Sequence, residues 1–380
     1  MKRLIKFDIV HPRAWLVEQK RALPNLDALS LAEYRTWLID LMSNYSDFYT
    51  HYLNEAGWDA EEYFLLDEDF ERKVGQEIWG VAGEWWRRRG FQQARRLRRF
   101  NMTWSEYVVL HYVRRRRPDV LFVRSQPIRS AFWRHYFPDT LRVARLSARL
   151  PYNWHPNDWD LIYTDQPDFQ TFFRLHGVPT LLNKQGFDAR INQRLADHPP
   201  GSAGIVFIGG LGTQNFSQRT EFLEQLAAHR PDFRWWGYWW NAPDGRTLAE
   251  FPHLARSYQG PTSGLEMYQL YRDALAVVND YVDTANGIGF NQRIFEVMGC
   301  GGTLLTRDAP NFARDFPSDV FFTYHDLNSC LTQLRYIHEH PEAVQQRRSA
   351  ARTYVHRAFN YRDISRRFGE ELDRRLAAPR

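Results

Sequence analysis

An arginine and a glutamate three residues apart stand in Asn286-Gly287-Ile288-Gly289-Phe290-Asn291-Gln292-Arg293-Ile294-Phe295-Glu296. A guanidinium grips phosphate oxygens with a planar fork of donors, and a carboxylate accepts both hydroxyls of a ribose. A spacing of three puts both side chains on nearly one helix face. From periodicity alone the plainer reading is a surface ion pair on an amphipathic helix. A second candidate is Ile205-Val206-Phe207-Ile208-Gly209-Gly210-Leu211-Gly212, an apolar strand pattern that runs into a glycine turn before a helix. Backbone N–H groups at such a turn approach an anion closely, and the helix N-terminus favours negative charge. An ordinary strand-to-helix turn explains the same residues at least as well.

Apolar β-rich runs alternate with helical periods along most of the chain, which implies repeated βαβ units and parallel sheets. In the first half strands are expected at Leu4 to Val10, Tyr63 to Leu66, Val120 to Arg124, Leu141 to Leu146, Leu161 to Thr164 and Thr180 to Asn183. Helices are expected at Leu31 to Ala56, Trp104 to Arg116 and Phe169 to His176. The turn formers Asp197-His198-Pro199-Pro200-Gly201-Ser202-Ala203-Gly204 read as a linker. A second series then has strands at Ile205 to Ile208, Arg234 to Gly237, Ala276 to Asn279, Gly302 to Thr306 and Val320 to Thr323. Its helices are Gln218 to Ala228, Leu265 to Tyr271 and Asn291 to Met298. A charged helical region from Leu327 to Leu376 is interrupted near Pro341 and Asn360.

With 380 residues, 43% hydrophobic and 25% charged, the chain can bury a sizeable core in two domains. Cys300 and Cys330 have no zinc or disulfide spacing and read as core residues. No uncharged apolar stretch is long enough for a membrane span or a signal peptide, so a cytoplasmic location is expected. A net charge of +5 favours anionic partners without choosing among nucleotide phosphates, an acidic membrane and nucleic acid.

The stretch from Gly204 to Phe368 resembles the CgeB-like glycosyltransferases, related to glycosyltransferase family 4. The likeness rests on Phe207-Ile208-Gly209-Gly210-Leu211 followed by Arg219, on Gly264-Leu265-Glu266-Met267-Tyr268, on the block from Asn286 to Thr306, and on Asn311-Phe312. Tyr45-Ser46-Asp47-Phe48-Tyr49, Pro118-Asp119-Val120-Leu121-Phe122 and Asp160-Leu161-Ile162-Tyr163-Thr164 extend it into the first half. The resemblance implies two Rossmann-like domains facing across a cleft, the GT-B fold, at 1–198 and 199–352, with a C-terminal helix at 353–380 packing back on the first. It implies that Glu296 binds the ribose, that Arg219, Gly209 and Gly210 face the diphosphate, and that Gly287 to Asn291, including Gly289, supplies backbone donors beside Asn286. Many family 4 relatives carry a further glutamate eight residues before the ribose-binding one; that position here is Ile288, so the donor sugar cannot be carried across.

Trp235-Trp236-Gly237-Tyr238-Trp239-Trp240 offers stacking surface near a base, although aromatics filling a sheet are the simpler reading. Tyr258 and Gly260 are candidate base contacts. Ser46 would cap a new helix with Asp47 in its first turn, and the resemblance also places both over the cleft. His11, His111 and His155 are histidines that would suit proton removal from a sugar hydroxyl, and Asp47 and His155 are the catalytic candidates. Arg87-Arg88-Arg89, Arg95-Arg96, Arg98-Arg99 and Arg114 to Arg117, interleaved with aromatics, read first as a solvated face, then as a membrane-docking surface, with nucleic acid ranked last.

The resemblance implies a retaining glycosyltransferase without a cofactor, and the lack of an acidic triad with metal spacing predicts metal independence. Such an enzyme would move a sugar from a UDP-, GDP- or dTDP-sugar to a hydroxyl of a glycan, a lipid-linked glycan or a protein, at the inner face of the membrane or free in the cytoplasm. The competing expectation is a non-catalytic scaffold of the same fold that binds glycan, membrane or nucleic acid through its arginines.

Overall fold

The computed structural model describes residues 1–43, 46–96, 101–147, 155–182, 184–198, 201–214, 216–240, 245–283, 289 and 291–378. The chain divides into two compact units. One comprises Met1–His11, Glu18–Lys184 and Arg362–Arg380, the other Pro12–Val17 and Gln185–Tyr361.

The first unit has strands β1 (Arg3–Asp8), β2 (Asp59–Phe64), β3 (Val120–Val123), β4 (Leu141–Arg145), β5 (Leu161–Thr164) and β6 (Thr180–Leu182). They form one sheet in the order β2-β1-β3-β4-β5-β6, with every pairing parallel. Strands covered on both faces need continuous apolar runs, and Val120, Leu121, Phe122 and Val123 are all buried. The helix Tyr361–Ala377 completes this core, with the Phe368 ring 4.7 Å from Phe122, 5.3 Å from Tyr163 and 5.9 Å from Tyr49.

The second unit has β7 (Ile205–Ile208), β8 (Leu211–Gly212), β9 (Phe233–Trp236), β10 (Trp239–Trp240), β11 (Ala276–Asn279), β12 (Leu304–Arg307) and β13 (Phe322–Tyr324). Its five-stranded parallel sheet runs β13-β12-β11-β7-β9, while β8 and β10 pair separately. From β7 the chain first builds outward to β9, then returns to lay β11 on the other side. Connections therefore leave β7 and β11 in opposite directions, and their carboxyl ends border the crevice where ligands bind in such sheets. Each unit is thus a Rossmann-like α/β layer structure, the fold class expected. The helices Gly264–Asp273, Gln292–Cys300 and Leu327–Glu339 cover this second sheet together with Ser217–His229.

Several differences from the sequence expectation are local. The helix expected from Leu31 to Ala56 is two, Leu31–Asp40 and Thr50–Glu55, because Met42 takes a left-handed φ of 52° that an α-helix cannot contain. Ser46 caps neither: its hydroxyl donates to the Ile39 carbonyl at 2.6 Å, and its own carbonyl accepts from the buried Lys6 ammonium. Helices Glu68–Trp79 and Val81–Arg96 fill a stretch where no element was assigned. Among the described residues no helix is long and apolar enough to cross a membrane.

Candidate functional site

The helix Gln292–Cys300 begins beside the exits of β7 and β11, and its second residue spans them. Arg293 donates through Nη1 to Asn279 Oδ1 at 2.6 Å and through Nη2 to the Ile208 carbonyl. Its guanidinium lies 4.6 Å from the centre of the Phe207 ring. A Cβ at Gly209 would sit 2.5 Å from Arg293 Nη2, so the missing side chain there makes room for the cation.

Arg219 reaches the same place from the first turn of the helix Ser217–His229. It donates through Nη1 to the Asp280 carbonyl at 3.3 Å and through Nη2 to the Gly210 carbonyl. Phe216 and Phe207 flank it, at 4.4 and 5.4 Å. Arg219 is only 5% exposed. Burial, then the neighbouring Arg293 cation, pushes its guanidinium down to about 10, which leaves it charged at neutral pH. Arg219 Nε and Arg293 Nε are buried and unpartnered among the described residues. Two cations held together on uncharged oxygens repel each other, and an anion between or above them removes that cost. The buried carboxylate of Asp280 is committed to a bidentate pair with Arg307 at 2.8 Å for both contacts.

Glu296 lies one turn beyond Arg293, half-buried. The Tyr271 hydroxyl is pushed above its usual range by burial and then by the Glu296 carboxylate. Asn291 precedes the helix and donates to Asn279 Oδ1 at 2.8 Å, with its own Oδ1 buried and without a hydrogen-bond partner among the described residues. Gly289 spends its amide on Asn311 Oδ1 at 2.7 Å. Gly209, Gly210, Arg219, Asn291 and Arg293 are therefore gathered at the switch point of the second sheet. Asn286 and Gly287 lie outside the described residues.

Tyr258 stands at the next strand exit, its ring 4.6 Å from Trp235 and its hydroxyl donating to the Gly237 carbonyl at 3.0 Å. Trp235 is fully buried and donates through Nε1 to the Gly209 carbonyl at 3.0 Å, so this part of the aromatic run is core that also braces the glycine turn. In the first unit, Asp47 is half-buried with its carboxylate 3.8 Å from His51 Nδ1. His155 is exposed, and its Nδ1 accepts from the Asn157 amide at 3.2 Å.

Sequence reasoning gave no role to Asn279, whose Oδ1 receives both Arg293 and Asn291. The available signal was an amide and a carboxylate, Asn279-Asp280, closing an apolar strand. It also passed over Asp8, at the exit of β1. The Asp8 carboxylate takes the Arg124 guanidinium and the Ser125 hydroxyl from the exit of β3, which is the switch point of the first sheet.

Residues 218–369 match a family model described as glycosyl transferase-like. No curated protein matches the chain. Among solved structures, Anabaena HepE in complex with UDP superposes with a TM-score of 0.56 at 14% identity, over 98% of this chain and 100% of that one. Sucrose-phosphate synthase from Thermosynechococcus elongatus gives 0.55 at 12%, over 100% of both chains. A glycosyltransferase involved in avilamycin A biosynthesis gives 0.53 at 14%, over 100% of this chain and 99% of that one. At these identities the likeness is one of fold, that of the GT-B proteins with their two Rossmann-like units.

Proposed function

We propose that this protein transfers a glycosyl group from a nucleoside diphosphate sugar to a hydroxyl acceptor. The observation that carries the reading is the convergence of Arg219 and Arg293 on the carboxyl ends of β7 and β11. The family match over that unit supports it, as does the fold shared with a protein crystallised with UDP and with UDP-glucose.

In this reading the bond between the anomeric carbon and the β-phosphate oxygen breaks, and its electron pair leaves on the diphosphate. The acceptor oxygen bonds to the anomeric carbon, and its proton passes to the departing phosphate oxygen. The arginines stabilise the charge growing on the leaving group, inside a site where burial makes each contact worth more than in water. Glu296 holds the ribose hydroxyls. The outcome is retention, which needs no dedicated protein base, and Asp47 and His155 then serve the acceptor rather than the chemistry. The acceptor is a glycan or lipid-linked glycan, the location is cytoplasmic, and the family is the CgeB-like one.

Titration calorimetry with UDP and UDP-glucose tests the reading, together with the slow release of glucose from UDP-glucose by purified protein. Absence of both nucleotide binding and hydrolysis would leave a non-catalytic scaffold. Glu296→Ala is expected to weaken UDP binding by about tenfold to a hundredfold, because the ribose loses a charged acceptor worth ~1.5–3 kcal/mol. Unchanged affinity for UDP would remove the ribose role from Glu296.

Because the arginines supply the positive charge, turnover is expected to persist in excess chelator. Among the described residues no three His, Cys, Asp or Glu side chains gather in a metal-holding group. Loss of activity in EDTA with recovery on adding Mg²⁺ or Mn²⁺ would overturn metal independence.

A further inference from the structure

The helix Val81–Arg96 packs one face into the first unit and leaves the other without a partner among the described residues. Glu84 and Phe91 point inward, with the Phe91 ring 5.5 Å from Trp104 and 5.4 Å from Tyr107. Successive residues of a helix turn by about 100°, so positions 85, 89 and 86 fall in order across roughly 100° of the opposite side. Trp85 is 49% exposed there and Trp86 65%, with Val81 at 70% one turn before Trp85. The two indoles meet edge to face at 4.5 Å, and the Arg89 guanidinium lies 5.2 Å from the Trp85 ring centre.

Cations border this face. Arg87 is exposed and donates to the Tyr107 hydroxyl at 3.1 Å, from the neighbouring helix Trp104–Arg116. The last turn of that helix carries Arg114, which is exposed. Arg87 and Arg114 both act on His111, whose pKa is lowered first by burial and then by these two cations. Val81–Arg96 itself contains five arginines and a single glutamate, the buried Glu84.

Neighbouring tryptophans facing solvent contribute little to a core. Indoles beside a collar of arginines suit the boundary of a bilayer, where the ring sits among headgroups and the cation meets lipid phosphate. A second copy of this chain would bring the same arginines against each other. Single-stranded nucleic acid needs successive ring faces as a platform, whereas these rings lie at 79° to one another.

We propose that the face formed by Trp85, Trp86 and Arg89, with Arg87 and Arg114 beside it, docks on an anionic lipid surface. The proposal does not depend on the nucleotide site, and its test uses no nucleotide.

The test is co-sedimentation of the full chain with vesicles of phosphatidylcholine alone and of phosphatidylcholine mixed with phosphatidylglycerol, at low and high salt. The expected result is binding to the mixed vesicles only, weakening as salt rises. Trp85→Ser combined with Trp86→Ser should reduce the partition coefficient by about tenfold or more, and Arg89→Gln by several-fold. Both variants should keep the parent's melting temperature, since the altered side chains lie largely outside the core. No binding by the parent protein overturns the proposal, as does equal binding by the tryptophan double variant. Lipid-independent self-association that the double variant abolishes would assign the face to a second copy. Salt-sensitive retention of an oligonucleotide, without vesicle binding, would assign it to nucleic acid.

Discussion

Replacing Arg293 by alanine is expected to lower turnover of a nucleotide sugar by about 10²- to 10³-fold, the loss seen when one donor to a developing oxyanion is removed. The same change should weaken UDP binding while leaving the fold intact. Asn279 Oδ1 keeps its bond from Asn291 at 2.8 Å, and the half-buried arginine contributes its stem rather than a core plug. Arg293→Lys is the sharper comparison. It keeps a cation but loses the fork that reaches Ile208 and Asn279 together, so it should fall between parent and alanine. Steady-state kinetics and calorimetry on the three proteins decide the matter. An alanine variant with the parent's kcat and the parent's affinity for UDP would show that the paired arginines brace the sheet and touch no phosphate.

Gly237→Ala is expected to cost roughly 3 kcal/mol and to lower the melting temperature by roughly 10 °C. Gly237 has a φ of 146°, and a Cβ built there overlaps the Gly209 carbonyl oxygen. That oxygen already accepts from Trp235 Nε1 at 3.0 Å, and the Gly209 amide donates to the Trp236 carbonyl at 2.9 Å. The methyl group must therefore push the exit of β9 away from the exit of β7, and the seat of Arg293 moves with it. Gly245→Ala separates crowding from backbone strain, because Gly245 also has a positive φ, 74°, yet a Cβ there meets nothing within 4 Å among the described residues. It should cost only about 1 kcal/mol. Equal melting temperatures for the two variants would mean that the contact at Gly209 is not what requires glycine at 237.

The parts of the fold that could be read in advance were those governed by local periodicity and capping. The helix Trp104–Arg116 was placed with both ends correct, and its start carries a capping box in which Thr103 and Glu106 satisfy each other's backbone amides. The breaks before Pro341 and at Asn360 likewise separate the helices Leu327–Glu339, Pro341–Ala358 and Tyr361–Ala377. What local pattern could not supply were contacts that reach beyond a single helical turn. Ser46 looks like a helix cap until Ile39 takes its hydroxyl, and Asn279 looks like the end of a strand until Arg293 and Asn291 arrive from twelve and more residues away. Arg219 and Arg293 drew attention through family resemblance, because residue spacing alone left a surface ion pair as the simpler account of Arg293 and Glu296.

Arg219 rests on the carbonyls of Gly210 and Asp280, and Arg293 takes one of its two anchors from Ile208. Main-chain oxygens persist whatever side chain a residue carries. Surrounding positions can therefore be exchanged, in nature or in a library, with limited disturbance to where the two cations point. In the proposed function, selection for a different base or sugar would then act on the neighbouring loops while the position of the two cations is inherited unchanged.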